Sequence, residues 1–481
     1  MRIVAAAALL LVIAGIALRV AASATELWQD EIWSLWLLHD LASPIQILTS
    51  IHHDNNHPIN SLFLYLLGDH RDCLTYRLLS LVTGTASILL AGVIALRRSL
   101  LEALTTMILF SASFLMVLYS SEARGYMPAV FFALLAFWAA RGYRDRGGLL
   151  GPLLFGLSVV LGFLSHLTFL FTYLALAQWM LAKKAPLTEL LRWHALPLGF
   201  LAAFCFLDVR YLHYGGVYEP ISLLRSLRES IALPLGLPDT SAGLVVGVGF
   251  SVAMVLSGLR AMRRSGDDEW AFYVTALSAP AAVLIAVGIA LHIWFPRYAL
   301  VSIAFFYLLL ASVLSRQYRA SAAGKILYVT VLLVFCFGNG WRNVRLVEGG
   351  RGRYLEALSY LAGESRGDAI RVAGSHDASI STLLWFYGQR IPGKHFSYVA
   401  EAERSTAPAP WFILTTQASD YVPDYTLVVS GHAYTFQRAY DCFTSCYRWF
   451  VYRETPPRRS AAPILQDRLV SDHPRSVARA S

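Results

Sequence analysis

Residues 77–126 read RLLSLVTGTASILLAGVIALRRSLLEALTTMILFSASFLMVLYSSEARGY. Two apolar runs, 77–96 and 101–119, are each long enough to cross a bilayer, which takes about 20 apolar residues. Arg97 and Arg98 separate the two runs, and a short polar turn follows them. This order of apolar run, basic turn, apolar run and polar turn is typical of neighbouring membrane helices. We expect the same alternation to organise most of the chain.

The composition of the whole chain agrees with that expectation. Of its 481 residues, 56% are hydrophobic and 15% are charged, whereas an ordinary soluble domain has about 25% charged residues. Modest Gly and Pro contents without a repeat exclude collagen-like and low-complexity chains, and five cysteines are too few for a disulfide framework. The formal net charge of +9 therefore predicts basic cytoplasmic loops rather than a nucleic-acid-binding surface.

Apolar runs of membrane-spanning length predict eleven helices. They lie near 3–22, 77–96, 101–119, 126–141, 149–165, 167–182, 194–210, 241–260, 270–291, 298–315 and 325–341. Basic residues concentrate in the turns between alternate pairs, and the positive-inside rule places those turns in the cytoplasm. These cytoplasmic turns also place the N-terminus in the cytoplasm, and an odd number of spans then predicts an extracytoplasmic C-terminal region in a multi-pass membrane protein.

The first span has a rival interpretation as a cleaved signal peptide. Ala22-Ser23-Ala24 has the small-x-small form of a cleavage site. We favour an uncleaved helix, because the apolar run is long and Arg19 lies just before the site. Either interpretation places residues 25–76 outside the cytoplasm.

The chain changes character after residue 341, where polar and charged positions return. Short apolar runs alternate with helix-like stretches over 342–454, which predicts an extracytoplasmic α/β domain. Residues 455–481 are rich in Pro, Arg, Ser and Ala, and we expect a disordered basic tail. Cys442 and Cys446 lie in the outer compartment, where a disulfide is chemically permitted. We favour the bridge, with two free thiols as the alternative.

The first outer loop begins with two adjacent carboxylates. Asp30 and Glu31 stand among three tryptophans, in a segment that we place at the membrane surface. Tryptophan is at home there as an interface anchor, so the aromatic part of the pattern has an ordinary explanation. A carboxylate in a partly desolvated pocket, however, is suited to act as a general base, because burial raises its pKa. The alternative is a solvated start of the loop.

A histidine cluster follows in the same loop, where residues 52–58 read HHDNNHP. His52, His53 and His57 together with an Asp raise the question of a metal site, but their spacing fits no zinc motif. We therefore predict no metal ligands. Pro58 is suited to begin a helix, which would direct free backbone N–H groups toward this loop in a geometry that favours phosphate.

Arginines at the outer ends of predicted spans are the third signal. Arg77 opens a span, Arg124 lies in the turn SEARGY, and Arg297 lies in FPRY. At a bilayer centre each would cost about 2.5–3.5 kcal/mol. At the membrane edge a single arginine often only extends toward water, but several converging on one outer face form an anion clamp. His166, at an outward hairpin, is a candidate to join them.

These features together predict a cavity at the outer edge of the membrane. Carboxylates would abstract a proton, cations would bind a phosphate, and aromatic surface would receive a lipid tail or a sugar ring. The amphipathic stretch 211–239 is a candidate lid over the cavity, with a helix resting on the membrane surface as the alternative.

The order of these motifs resembles that of the C-type (GT-C) membrane glycosyltransferases. The motifs are Asp30-Glu31, His57-Pro58 before an apolar run, Arg77-Leu78-Leu79-Ser80, Glu122-Ala123-Arg124-Gly125-Tyr126 and Arg297-Tyr298. Within that family the chain is most similar to the protein mannosyltransferase-like branch, which includes the lipid A aminoarabinose transferases. The resemblance covers most of residues 1–341 and extends loosely to the outer domain. The family's usual His-Pro-Pro is His57-Pro58-Ile59 here.

The resemblance implies transfer of a hexosyl or pentosyl group from a polyprenyl phosphate to a lipid, glycan or protein acceptor, with inversion, at the outer face of the bacterial inner membrane. Asp30 would be the base that deprotonates the acceptor, and Glu31 would orient acceptor or donor. Candidates for binding the donor's phosphate and sugar are His57, Arg124, Tyr126, His166, Arg297 and Tyr298. Some family members use a divalent metal ion and others do not, so the cofactor requirement stays open.

Two other classes of protein compete with this interpretation. A transporter or flippase of a lipid-linked sugar would also use outward carboxylates and cations, but it predicts an internal repeat and a charged site at mid-membrane. The sequence shows neither. A non-catalytic membrane anchor would leave the acid-bearing first loop without a role. Loss of activity in an Asp30→Asn variant that still folds would separate the transferase from both alternatives.

Overall fold

The computed structural model describes residues 2–70, 72–142, 148–184, 186–215, 222–291, 295–417, 421–444 and 446–455. Of the predicted disordered tail, residues 456–481 lie outside the described residues. The described part consists of a large helical region up to Gly349 followed by a smaller domain that contains a sheet.

The helical region follows the apolar runs of the sequence. Its helices are α1 (Arg2–Ser23), α2 (Gln29–Leu38), α3 (Gln46–Thr49), α4 (Pro58–Leu67), α5 (Cys73–Tyr76), α6 (Leu78–Leu96), α7 (Leu100–Ala112), α8 (Phe114–Ser120), α9 (Tyr126–Arg141), α10 (Leu150–Ser165), α11 (Phe169–Ala182), α12 (Leu187–Leu207), α13 (Leu223–Leu227), α14 (Ser241–Arg264), α15 (Trp270–Leu291), α16 (Leu300–Ala320) and α17 (Ala322–Gly349). Several begin where a hydroxyl residue accepts a hydrogen bond from the backbone N–H two or three positions later, as at Ser99, Thr240 and Ser321.

Each of the eleven predicted apolar runs coincides with a helix or with a bent pair of helices. Within the described residues, six helices are long and apolar enough to cross a membrane, and the pair α7 and α8 makes a seventh if it forms one span. Shorter apolar helices include α9, α10 and α11. The chain is therefore a multi-pass membrane protein, whereas the count of eleven spans and the orientation of the termini stay predictions.

The bend between α7 and α8 measures 58° and lies at Ser113. There the Phe114 backbone N–H donates to the Asn339 side-chain oxygen at 2.8 Å, and the Ser113 hydroxyl lies 2.9 Å from the Tyr307 hydroxyl. Polar side chains from α16 and α17 thus satisfy the backbone and hydroxyl groups at the break, which membrane interiors otherwise penalise.

The smaller domain is built on one six-stranded mixed sheet. Its elements are α18 (Tyr354–Glu364), β1 (Ala369–Gly374), α19 (Asp377–Gly388), β2 (His395–Tyr398), β3 (Trp411–Thr416), β4 (Thr426–Val429), β5 (His432–Tyr440) and β6 (Arg448–Glu454). The strand order is β2-β1-β3-β6-β5-β4, with β1 parallel to β2 and β3 and the other pairs antiparallel. The predicted α/β character of this domain is confirmed.

Polar contacts join the two parts in the segment between α1 and α2. The Tyr387 hydroxyl donates to the Leu27 carbonyl at 2.8 Å. The backbone N–H groups of Tyr354 and Leu355 donate to the Glu26 carboxylate at 2.6 and 3.2 Å. Because Glu26 and Leu27 directly precede α2, the sheet domain helps to set the position of that helix.

Candidate active site

A cavity of about 1820 Å³ opens between the membrane helices and the sheet domain. It exceeds the roughly 300–1,000 Å³ of an ordinary small-molecule site, so it has room for a ligand larger than a single sugar. The sequence-predicted site residues that line it are Asp30, His57, Arg124, Tyr126, His166, Arg297 and Tyr298. Glu31 is the one candidate of the predicted catalytic and donor sets that does not line it.

Asp30 lies between two arginines from distant parts of the chain. Its carboxylate oxygen Oδ2 is 3.3 Å from Arg297 Nη1 and 3.7 Å from Arg124 Nη2. The Asp30 side chain is 25% exposed, whereas those of Arg124 and Arg297 are 4% and 12% exposed. The carboxylate therefore reaches the cavity, with two partly desolvated cations beside it, an arrangement suited to both a proton acceptor and a phosphate.

Glu31 is directed into the protein instead. Its fully buried carboxylate accepts two hydrogen bonds from Arg77, at 2.8 and 2.6 Å, and one from the Ala123 backbone N–H at 2.7 Å. Burial alone would raise the pKa of Glu31, but Arg77, Arg351 and the Ala123 N–H together outweigh burial, and the pKa lies below its usual value. This carboxylate fixes α2 to the helix that follows Arg77 and to the turn that carries Arg124.

The turn at 122–125 holds Arg124 over the cavity. Arg124 donates to the Asn55 side-chain oxygen, to the Asp30 carbonyl at 3.2 Å and to the Tyr126 hydroxyl at 3.2 Å. Gly125 is required because a Cβ there would lie 1.9 Å from the Ser165 carbonyl oxygen. Asn55 is a site residue that the sequence analysis missed, because it is one of several polar residues in the HHDNNHP stretch.

Two histidines and a tyrosine stack in the cavity wall. The rings of His57 and His166 lie 5.0 Å apart at 26°, and each ring contacts Tyr126. Burial, with Arg124 nearby, lowers the pKa of His57 well below its usual value and that of His166 to about 3. Both imidazoles are therefore neutral at physiological pH and offer ring stacking and single hydrogen bonds rather than positive charge.

The three histidines of residues 52–58 have different partners. His52 pairs with Asp208 at 2.9 Å, His53 pairs with Asp54 at 3.0 Å, and His57 joins the ring stack. Among the residues that the structure describes, no three His, Cys, Asp or Glu side chains are placed to hold a metal ion.

Three solved structures share the architecture of this chain. ArnT from Cupriavidus metallidurans in the apo state is 12% identical, with 94% of this chain and 97% of ArnT covered and a TM-score of 0.52. ArnT from the same organism bound to undecaprenyl phosphate is also 12% identical, with 93% of this chain and 98% of ArnT covered and a TM-score of 0.50. The oligosaccharyltransferase of Archaeoglobus fulgidus in complex with zinc and sulfate is 10% identical, with 85% of this chain and 67% of that protein covered and a TM-score of 0.50.

These neighbours are C-type glycosyltransferases. The chain has the GT-C fold. At this low identity the likeness concerns the fold alone, and the predicted resemblance is confirmed at that level. No family model matches the chain, and no curated protein sequence does.

The predicted lid, residues 211–239, forms part of the cavity wall and is partly fixed to the helices behind it. The stretch 222–232 contributes Arg225 and Glu229 to the cavity wall. The following turn is tied to the helices behind it, because the Tyr307 hydroxyl donates to the Pro234 carbonyl at 2.8 Å and a Cβ on Gly236 would lie 2.9 Å from the Phe335 carbonyl oxygen. Residues 216–221 of the predicted lid lie outside the described residues.

The cavity also has walls that the sequence did not reveal. The C-terminal half of α17 supplies Phe337 and Trp341, and α8 supplies Phe114, Leu115 and Leu118; we call these five side chains the apolar wing of the cavity. The sheet domain supplies residues 375–379, 442–444 and 446–448, together with Glu401 and Gln417. These contributions come from positions far apart in the chain and carry no short motif.

Proposed function

We propose that this protein is a glycosyltransferase that moves a sugar from a polyprenyl phosphate to an acceptor hydroxyl at the outer face of the membrane. The observation that carries the proposal is the placement of Asp30 beside Arg124 and Arg297 in a large cavity. The GT-C fold supports a transferase, and ArnT, which shares this fold, has been solved with bound undecaprenyl phosphate.

The chemistry is a single displacement at the anomeric carbon. Asp30 accepts the proton of the acceptor hydroxyl as the hydroxyl oxygen forms its bond to the anomeric carbon. The bond between that carbon and the phosphate oxygen breaks on the opposite side, and the polyprenyl phosphate departs with the electron pair. The product has the inverted configuration, and the proton stays on Asp30 until it is released to solvent.

Arg124 and Arg297 stabilise the leaving phosphate. Negative charge develops on that phosphate in the transition state, and cations fixed in a partly desolvated site stabilise it more strongly than water does. Both guanidinium groups lie against Asp30, so the base and the anion clamp are adjacent. A phosphate with two such partners leaves without protonation, and the mechanism needs no general acid.

The remaining candidates take supporting roles in this proposal. His166 and Tyr298 line the cavity close to the arginines, and His57 and Tyr126 complete the aromatic wall behind them. These rings supply stacking surface and hydrogen bonds for the sugar. Glu31 takes no part in the proton transfer, because its carboxylate is buried and held by Arg77. It positions α2, and through α2 it positions Asp30.

The test is sugar transfer from a radiolabelled pool of polyprenyl-phosphate sugars by membranes that contain the protein. Wild type and Asp30→Asn are compared at matched expression, with the same substitution at Asp40, an exposed acid two positions after α2, as the control. We expect transfer by wild type and Asp40→Asn and none above background by Asp30→Asn. Equal transfer by all three chains would remove Asp30 as the base, and label crossing the membrane on intact donor would favour a flippase.

A further inference from the structure

The loop between β5 and β6 reaches from the sheet domain into the cavity. A disulfide joins Cys442 to Cys446 within it, with a Cα–Cα distance of 6.3 Å. Both cysteines and Phe443 line the cavity. A covalent link between positions four residues apart restricts the conformations of the segment between them. The side chains of Cys442, Phe443, Thr444 and Cys446, which are the described residues of this disulfide loop, are therefore presented to the cavity by a constrained segment.

Phe443 is the residue of this loop that docks on the membrane helices. Its backbone N–H donates to the Gly350 carbonyl at 3.1 Å. Its ring meets the Phe114 ring edge-on, with 6.1 Å between centroids. A Cβ on Gly349 would lie 2.8 Å from the Cβ of Phe443, so only glycine allows this approach. The ring is thus held between the start of α8 and the end of α17.

Phe443 stands beside the apolar wing of the cavity. Phe114, Leu115 and Leu118 line the cavity from α8, and Phe337 and Trp341 line it from α17. The side of α17 is unusually open, because Phe337 is 81% and Trp341 57% exposed. An apolar chain lying along these side chains would make many dispersion contacts with them.

Two ends of the same cavity are therefore chemically different. Arg124 and Arg297 are suited to a phosphate, whereas the wing that ends at Phe443 is suited to a hydrocarbon chain. A ligand with a phosphate attached to a long apolar chain matches both ends at once. Tyr119, near the C-terminal end of α8, also lines the cavity, and its ring lies 5.1 Å from that of Tyr126.

We propose that Phe443, presented by the disulfide loop, is a positioning residue for the lipid chain of the donor. The inference rests on the proposed function and deepens it, since it names the part of the site that binds the isoprenoid chain next to the phosphate. The disulfide contributes by keeping Phe443 against Phe114 and Gly350. Loss of the ring, or of the bridge that presents it, weakens lipid binding without touching the groups that carry the chemistry.

The experiment measures binding of undecaprenyl phosphate to the purified full-length protein in detergent. Phe443→Ala is compared with wild type, with Phe443→Leu as the conservative variant and with Phe436→Ala as the control. Phe436 is a partly buried aromatic residue of the same domain that does not line the cavity. We expect the dissociation constant to rise about tenfold in Phe443→Ala and to change less than about twofold in the other two.

The second arm tests the disulfide. Cys442→Ser combined with Cys446→Ser is expected to weaken binding about as much as Phe443→Ala, and the triple variant is expected to be no weaker, because the two changes act through one contact. Phosphatidic acid with ordinary acyl chains serves as the competing lipid. Equal effects of Phe443→Ala on both lipids would overturn the assignment to an isoprenoid chain.

The outcomes separate this inference from the proposed function. If wild type binds undecaprenyl phosphate and transfers sugar while Phe443→Ala binds as wild type does, the role of Phe443 is overturned and the function stands. If Phe443→Leu weakens binding as much as Phe443→Ala, or Phe436→Ala does so, the effect is a general loss of structure and the inference also falls. If wild type binds no undecaprenyl phosphate, the proposed donor itself is overturned.

Discussion

The two faces of α2 differ in their surroundings: one faces the cavity and the other is buried in the core. On the cavity face, Asp30 and Trp33 line the large cavity, and the Asp30 carboxylate meets two arginines at salt-bridge distance. On the core face, Glu31 and Ile32 are fully buried, and the Glu31 carboxylate is satisfied by Arg77 and a backbone N–H. Two adjacent acids thus serve different purposes, one exposed to ligand and one holding the helix in place.

Helix geometry explains how neighbours part in this way. Successive residues of an α-helix are about 100° apart around its axis, so Asp30 and Glu31 are directed to different surroundings. The core face must satisfy every charge that it buries, because an unpaired buried charge is very costly. The cavity face tolerates a carboxylate that is only partly paired. The difference teaches that, in this loop, partial satisfaction marks the chemistry and complete satisfaction marks the scaffold.

The largest expected effect breaks the cavity face. Asp30→Asn removes the proton acceptor while preserving size, and we expect kcat to fall about 10²–10⁴-fold, the usual contribution of a general base. The thermal unfolding midpoint should stay near that of wild type, because Asp30 is partly exposed. Initial rates of labelled sugar transfer and unfolding scans on the same preparation check both statements. A large drop in the midpoint would place Asp30 with the scaffold.

The matching change on the core face should reverse the pattern. Glu31→Gln leaves Arg77 buried without its counter-ion, and breaking a buried ion pair costs about 3–5 kcal/mol. We expect a clearly lower unfolding midpoint and a lower yield of folded protein, whereas the rate per folded molecule should fall less than in Asp30→Asn. The double change Glu31→Gln with Arg77→Gln should recover part of the stability. A stable but inactive Glu31→Gln would contradict the division of labour.

A change next to Asp30 sharpens the cavity side of the comparison. Arg297→Gln removes one of the two cations beside Asp30, and we expect kcat to fall about 100-fold, as when one charge-stabilising donor is lost. Arg353→Gln, an exposed arginine that pairs with Glu356, is the control and should leave the rate unchanged. Equal rates in the two variants would show that Arg297 does not stabilise the leaving phosphate.

The smallest effect concerns Glu26, a third acid near the same helix. Burial raises the pKa of Glu26 to about 7. Between about pH 4.5 and pH 7 the Glu26 carboxyl is therefore protonated in the folded protein, whereas it is ionised in the unfolded chain, where its pKa is 4.5. The associated stability is complete below about pH 4.5 and is lost as pH rises through about 7. Between pH 5.5 and 8.5 we expect the unfolding midpoint of wild type to fall by about 2–4 °C more than that of Glu26→Gln. Parallel curves would show that Glu26 does not titrate in this range.

Much of the fold could be predicted from the chain alone. The apolar runs of the sequence coincide with helices, because each run is long enough to form one in a bilayer and backbone groups must be satisfied within the segment. The change in composition after residue 341 predicted the sheet domain, and α17 runs only eight residues past that boundary, to Gly349. The exact strand order could not be predicted, since it depends on pairings between distant segments.

The candidate site could be predicted in part. Unusual charges at the membrane edge pointed to Asp30, Arg124 and Arg297, because a charge there demands a reason. Their convergence within salt-bridge distance required the tertiary structure. Asn55 and Phe443 were missed, since a polar loop residue and a single aromatic carry no signal until their partners are known.

The sequence by itself therefore determined where the apolar helices form and which residues carry an unusual charge for their setting. Periodicity, composition and the cost of charge in lipid are local properties, and local properties can be read from the chain. Only the tertiary structure decided which of the two acids, Asp30 or Glu31, reaches the cavity and which cations surround it. That decision depends on the rotation of α2 against Arg77 and the 122–125 turn, which are contacts between segments far apart in sequence.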